Sequence, residues 1–151
     1  MPSVTRRRVV AAPATEVWNL VADPYSLPRW WPRTARVENV EQRGSGRRSQ
    51  WTKVLQTAEG RGVRADFRCV SAAEGERYVW EQELEGTPFE KHLRSSRVEI
   101  GLRTKGEGTE VSLTSEQSLR GMSRLGGTLM RRGQGAILVE ALDGIERALT
   151  P

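Results

Sequence analysis

The sequence has 151 residues, with 24 Lys or Arg against 19 Asp or Glu and a formal net charge of +5. Hydrophobic residues make up 36% of it, and it contains one Cys and one His. A chain of this size usually forms one domain and buries roughly 68–70% of its unfolded surface. We therefore expect a single domain over residues 1–151.

The rarity of Cys and His excludes several kinds of site. Cys69 has no partner for an internal disulfide, and Cys69 with His92 is too few ligands for an ordinary zinc site. No apolar run approaches the ~20 residues of a membrane span, and the N-terminus lacks the apolar segment of a secretory signal. These features predict a cytoplasmic protein without a bound metal or a membrane span.

The basic residues are dispersed rather than clustered. Of the 24, 21 are Arg, spread along the chain among Glu residues, and only Arg6-Arg7-Arg8 forms a run. A basic surface can bind nucleic acid or anionic membranes, but dispersed charge is typical of an ordinary solvated surface. We expect no nucleic-acid partner and keep such binding as a remote alternative.

Hydrophobic periodicity divides the chain into three parts. Residues 3–11 predict a strand, after which apolar residues at helical spacing predict two short helices that end at Asp23-Pro24 and at Pro32. Residues 34–118 alternate with period two between turn signals such as Gly44-Ser45-Gly46 and Glu59-Gly60, which predicts an antiparallel meander. A long helix is predicted to follow, with this apolar stripe: Ile137, Leu138, Ala141, Leu142, Ile145, Ala148 and Leu149.

The glycines in the first half of this last helix need an explanation. Gly126, Gly127, Gly133 and Gly135 each cost about 0.8 to 1 kcal/mol relative to Ala in a helix interior. Close packing or room for a ligand would compensate that cost.

The order of elements and three N-terminal motifs resemble a known superfamily. The motifs are Ala12-Pro13 with Val17-Trp18, then Asp23-Pro24, then Pro28-Arg29-Trp30-Trp31-Pro32. They are similar to the START-like (SRPBCC) superfamily, and within it to the polyketide cyclase/dehydrase and lipid-transport group. The resemblance covers essentially the whole chain and is more specific for fold than for activity.

The resemblance implies an α+β helix-grip fold. In this fold a curved seven-stranded antiparallel sheet wraps around a long C-terminal helix, and two short helices follow the first strand. It also implies a cavity for a hydrophobic small molecule, in which family cyclases close rings on a poly-β-ketone chain without a cofactor. The sequence carries no catalytic motif of a particular subfamily.

The apolar face of two predicted strands turns polar at one end. Val98, Ile100 and Leu102 lead backward in phase to Ser96, Arg94 and His92, and Val111 and Leu113 lead forward to Ser115 and Gln117. Antiparallel neighbours would bring these polar ends together in an otherwise apolar pocket. The alternatives are that each strand emerges into solvent or that a bulge resets its register.

Two residues of this polar end are candidate catalytic groups. His92 has the only side chain with an unperturbed pKa near neutrality, which suits a general acid or base. Arg94 could bind a carboxylate or polarise a ketone oxygen. A surface position is the alternative for both, and Arg8 is open to the same two interpretations as Arg94.

Aromatic residues supply the predicted cavity walls. Tyr78 and Trp80 share one strand face, and Val63, Ala65 and Phe67 suggest the same for their strand. By resemblance Trp30 and Trp31 lie near the cavity mouth, one facing the core and the other more exposed. Trp18 is expected in the core. The orientation of Trp51 is ambiguous, because an inward Trp51 would place the charged Lys53, two residues later, on the same inward face.

The sequence leaves two main functions open. One is a cofactor-independent, cyclase-like enzyme in which Arg94 and His92, with Ser96 and Gln117, act on carbonyl oxygens. The other is a non-catalytic carrier or sensor of lipid-like ligands. Either would be a monomer or a homodimer with a hydrophobic small molecule as its partner.

Overall fold

Seven strands and three helices form the fold in a computed structural model, which describes residues 3–41, 49–55, 63–121 and 124–150. The strands are β1 (Ser3–Val10), β2 (Thr34–Glu41), β3 (Gln50–Leu55), β4 (Val63–Ala73), β5 (Arg77–Glu83), β6 (Leu93–Lys105) and β7 (Gly108–Leu119). The helices are α1 (Ala14–Val21), α2 (Leu27–Trp30) and α3 (Arg124–Leu149), and short 3-10 turns occur at Pro24–Ser26 and Pro88–Lys91. The predicted turns at Gly44-Ser45-Gly46 and Glu59-Gly60 lie outside the described residues.

All seven strands belong to one antiparallel sheet. Their order is β1-β7-β6-β5-β4-β3-β2, so the strands from β2 to β7 lie side by side as a meander. β1 pairs with β7, with Val4 opposite Ser115 and Arg8 opposite Val111. The predicted α+β architecture, with two short helices after the first strand and a long C-terminal helix, is confirmed.

The core lies between one face of the sheet and α3. The predicted helix stripe is buried at Leu138, Ala141, Leu142 and Ile145, and its outer members, Ile137, Ala148 and Leu149, pack against the core. The sheet contributes the predicted apolar phases of its strands, including Ile100, Val111 and Leu113. Each fully buried aliphatic side chain of this kind contributes about 1.5–3 kcal/mol, so the stripe stabilises α3 on the sheet. Trp18 is buried in the same core, as predicted.

An ion-pair cluster joins the edge strand β1 to α3. The guanidinium of Arg8 donates hydrogen bonds to Asp143 at 2.5 Å and to Glu146 at 2.8 Å. These two carboxylates, of which Asp143 has the larger effect, raise the pKa of Arg8. Of the two interpretations open for Arg8, the structure supports a paired structural residue.

Two glycines of α3 lie where other parts of the chain come close to the helix backbone. A Cβ at Gly144 would overlap the carbonyl oxygen of Trp30, and one at Gly135 would lie 2.7 Å from the guanidinium of Arg6. A Cβ at Gly133 would meet nothing within 4 Å. Close packing against backbone therefore compensates the helix cost at Gly144, whereas the neighbour of Gly135 is the end of a flexible arginine side chain and Gly133 has no such neighbour.

Gly144→Ala should destabilise the protein by roughly 1–3 kcal/mol, because the new methyl group meets backbone of α2 rather than a flexible side chain. Gly133→Ala is the matched control in the same helix and should stabilise by up to about 1 kcal/mol. Urea unfolding followed by tryptophan fluorescence measures both changes. Equal stability of the two variants would show that α2 does not pack so closely on α3.

Candidate functional site

A cavity of about 300 Å³ lies between the sheet and α3. The strands β3 to β7 form its floor, the segment after α2 covers one side, and the middle of α3 covers the other. Most of its wall is aromatic or aliphatic, with a few polar groups. The lining residues are Trp31, Pro32, Arg33, Lys53, Leu55, Val63, Ala65, Phe67, Trp80, Gln82, Phe89, Ser96, Val98, Gln117, Gln134 and Ile137.

An aromatic wall forms one side of the cavity. Trp31 meets Trp80 edge to face with ring centroids 5.3 Å apart, and Phe67 stacks on Trp51 at 6.1 Å. The Trp51 ring in turn packs edge-on to Trp80 at 6.0 Å. Such contacts add about 0.5–1.5 kcal/mol beyond area burial and hold the rings in fixed orientations. The predicted inward phases of β4 and β5 are therefore correct at Phe67 and Trp80.

Trp30 and Tyr78 were predicted to contact a ligand but lie behind this wall. Both are almost fully buried, and neither belongs to the cavity lining. Both indoles are buried and meet edge to face at 5.5 Å, and Trp31, which lines the cavity, is the more exposed of the two at 9% against 2% for Trp30. Burial raises the pKa of the Tyr78 phenol, so this group is neutral near physiological pH.

The predicted polar end of the sheet exists in part. Ser96 and Gln117 are direct partners on β6 and β7, both line the cavity, and the Gln117 amide donates to the Ser96 hydroxyl at 3.3 Å. Ser115 is buried and donates a hydrogen bond to the side-chain oxygen of Gln134 at 2.8 Å. Gln134 in α3 lines the cavity and was missed from the sequence. The sequence feature that could have identified Gln134 is its position four residues before Leu138, on the same helix face as the apolar stripe.

A bulge places His92 and Arg94 outside the cavity lining. The pairing of β6 with β7 shifts between Leu93 and Ser95, so that Arg94 has no partner in the register. Extending the inward phase from Ser96 to Arg94 and His92 was therefore wrong, and both side chains are exposed. His92 also lies before the start of β6, after a 3-10 turn at Pro88–Lys91 from which Phe89 enters the lining. A catalytic role for either residue stays a prediction.

Lys53 of β3 is the functional candidate that the sequence left unassigned. It shares the inward face with Trp51, which resolves the ambiguous phase of this strand, and it is 95% buried. Its ammonium nitrogen lies 4.6 Å from the ring centroid of Phe67 and 5.1 Å from that of Trp31. Burial lowers the pKa of this amine to about 7. Both the neutral and the protonated amine are therefore available near neutral pH.

Neither a metal cluster nor a membrane-spanning helix was found in the described part of the chain. No group of three or more His, Cys, Asp or Glu side chains there is placed to hold a metal ion. None of the helices found there is both long and apolar enough to cross a membrane.

Comparisons with known proteins identify relatives of the whole chain. Residues 1–150 match a family model described as polyketide cyclase / dehydrase and lipid transport. A START superfamily protein from Mycobacterium smegmatis superposes with a TM-score of 0.78 at 16% identity, covering 97% of this chain and 96% of that chain. The protein TTHA0849 from Thermus thermophilus superposes with a TM-score of 0.71 at 25% identity, covering 97% and 95%.

A two-domain protein is also similar in structure. The di-domain ARO/CYC StfQ from the steffimycin biosynthetic pathway superposes with a TM-score of 0.79 at 15% identity. The match covers 97% of this chain and 50% of StfQ, so the chain corresponds to about half of that protein. At this identity the likeness shows a shared fold. No curated protein matches the sequence significantly.

The buried amine of Lys53 predicts a stability that rises with pH. Its pKa is lowered from 10.5 to about 7, so between these values the unfolded chain binds a proton that the folded chain does not. The free energy of unfolding should increase across this window, by at most about 1.4 kcal/mol per pH unit from this residue. At lower pH both states are protonated, and the folded state carries the full cost of the buried charge.

Lys53→Met tests this assignment by urea unfolding at several pH values. The variant should flatten the slope and should be more stable than the wild type in acid, because an apolar side chain of similar length replaces a buried charge. Lys105→Met removes an exposed charge and serves as the control. A slope unchanged by Lys53→Met would contradict the burial of this amine.

Proposed function

Because this chain belongs to the polyketide cyclase / dehydrase and lipid transport family, as its N-terminal motifs indicate, we propose that it binds a hydrophobic small molecule between the sheet and α3. The observation that carries the proposal is the cavity itself. Its volume of about 300 Å³ is at the lower end of the range for ligand pockets, and its wall is mostly apolar. A ligand of two or three aromatic rings fits this space.

The polar groups of the cavity would orient such a ligand. The amides of Gln117 and Gln134 and the hydroxyl of Ser96 lie in the lining and supply both donors and acceptors. The hydrogen bond between Gln117 and Ser96 and that between Ser115 and Gln134 hold these side chains in place. A few fixed polar groups in an apolar pocket are typical of sites that bind carbonyl or hydroxyl oxygens.

Cofactor-independent cyclisation or dehydration of a ketone ligand is the second candidate function. Lys53 favours it, because an amine with a pKa of about 7 inside the cavity can take a proton from a carbon next to a carbonyl group. The resulting ammonium would stabilise the enolate that forms. His92 and Arg94 would act only on a part of the ligand outside the cavity. Without this chemistry, the same cavity would serve a carrier or sensor.

The third candidate, nucleic-acid binding, receives little support. Arginines of the described outer surface pair with neighbouring carboxylates, as Arg64 does with Glu38 at 3.1 Å and Arg68 with Glu83 at 3.0 Å. Each of these pairs lowers the positive charge that this face could offer to a phosphate backbone.

Ala65→Phe tests whether the cavity is the binding site. The new ring projects into the cavity and should weaken binding of the neutral fluorophore N-phenylnaphthylamine by roughly tenfold or more. Val70→Phe on the same strand is the matched control, since Val70 is exposed and lies outside the lining, and binding should be unchanged. Fluorescence titration measures both. Equal binding by the two variants would place the ligand elsewhere.

The cyclisation candidate predicts that Lys53 acts as a base on a bound ketone. The wild type should accelerate exchange of the methyl hydrogens of acetylnaphthalene with heavy water, and the rate should rise as the amine loses its proton at about pH 7. Lys53→Met should reduce the rate to that of the solution reaction, whereas Lys105→Met should not. Nuclear magnetic resonance follows the exchange. Binding of the ketone without acceleration would favour the carrier or sensor.

A further inference from the structure

The charges in the cavity lining are all of one sign. Among the described residues that line it, Lys53 and Arg33 are cationic and no Asp or Glu occurs. Lys53 is 95% buried, and no carboxylate of the described residues forms an ion pair with it. An ammonium taken out of water without a counterion costs several kcal/mol.

The carboxylates of neighbouring elements are engaged elsewhere. Glu38 of β2 is opposite Thr52 rather than Lys53, and pairs with Arg36 at 2.7 Å. Asp66 of β4 accepts a hydrogen bond from Thr52 at 2.6 Å on that same outer side of the sheet. In α3, Glu140 lies 3.8 Å from Arg33. The strand residues directly beside Lys53 are apolar, namely Val37 and Ala65.

The aromatic rings around Lys53 compensate its burial only in part. Contacts of a cation with ring faces contribute about 2 kcal/mol or more when desolvated, and Lys53 makes two at 4.6 and 5.1 Å. The rings carry no net charge, so these contacts leave the ammonium without a counterion among the described residues. The site is therefore short of one negative charge.

We propose that the ligand is a flat apolar organic acid whose carboxylate pairs with the ammonium of Lys53 while its apolar body lies against Trp31, Phe67 and Trp80. This inference rests on the proposed function, since it specifies the chemistry of the molecule in the same cavity. The anion supplies the missing counterion, and the low local dielectric strengthens the pair relative to one in water. A hydrocarbon or a neutral amide of the same shape lacks this contact.

Arg33 has a secondary role at the rim. Its side chain is 63% exposed and faces Glu140, so solvent and a competing carboxylate weaken its attraction for a ligand. Its backbone has a φ of 57° in the turn between α2 and β2, and the residue forms part of the cavity lining. Arg33→Met should reduce acid binding by no more than roughly threefold, as expected for an exposed pair.

Calorimetric binding of naphthoic acid and naphthamide, substituted at the same ring position, tests the proposal. At about pH 6, where the carboxylate is ionised and Lys53 is protonated, the acid should bind the wild type at least roughly tenfold more tightly than the amide. Lys53→Met should abolish this preference and leave amide binding within roughly threefold of the wild type, and Lys105→Met should retain the preference. Acid binding should weaken as the pH rises above the free-state pKa of Lys53, about 7, while amide binding stays constant.

Proton uptake provides a second readout on the wild type, which holds even if Lys53→Met does not fold. Near the pKa of the free amine the acid should bind with uptake of part of a proton, seen as a dependence of the binding enthalpy on the buffer, and the amide should bind without it. Equal affinities for acid and amide, or acid binding without uptake, would overturn the acidic-ligand proposal while leaving ligand binding intact. Failure of both compounds and of N-phenylnaphthylamine to bind would overturn the proposed function as well.

Discussion

The contact between Trp30 and Gly144 determines how the site is built. Since no side chain separates them, the backbone of α2 lies directly on α3. That approach places the next residue, Trp31, over the inner face of the sheet, where its ring meets Trp80 and lies 5.1 Å from the ammonium of Lys53. Arg33 follows after Pro32 and lies at the rim. The wall, the amine and the mouth of the cavity thus depend on one close backbone packing.

Lys53 lowers the stability of the folded state but gives the cavity its buried basic group. An apolar side chain at its position would make the folded state more stable, yet it would leave the cavity without a charged or basic group other than the exposed Arg33. The two chemical roles considered for it follow from its protonation state. A ketone ligand leaves the amine neutral enough to act as a base, whereas a carboxylate raises its pKa and keeps it an ammonium.

Periodicity predicted the fold because each element has one apolar face, and that signal is local. The change from helical to strand spacing and back located the short helices, the meander and α3, and the polar ends at Ser96 and Gln117 followed from the same alternation. Alternation cannot predict the bulge at Arg94. One extra residue moves every side chain beyond it to the opposite face of the sheet. Lys53 was left unassigned for another reason. A lysine in a strand is ordinarily solvated, and only the positions of Phe67 and Trp31 in space show that this one is enclosed.

The pairing of β1 with β7 has a consequence for how the chain acquires its structure. Ser3 lies opposite Glu116, so this ladder joins segments that are synthesised at nearly opposite ends of the described chain. The β1–β7 ladder forms after the strands between them have been made, and such long-range contacts slow folding. Until α3 follows and docks, the aromatic face of the meander is open to other nascent chains, which makes this interval the most aggregation-prone stage of its biogenesis.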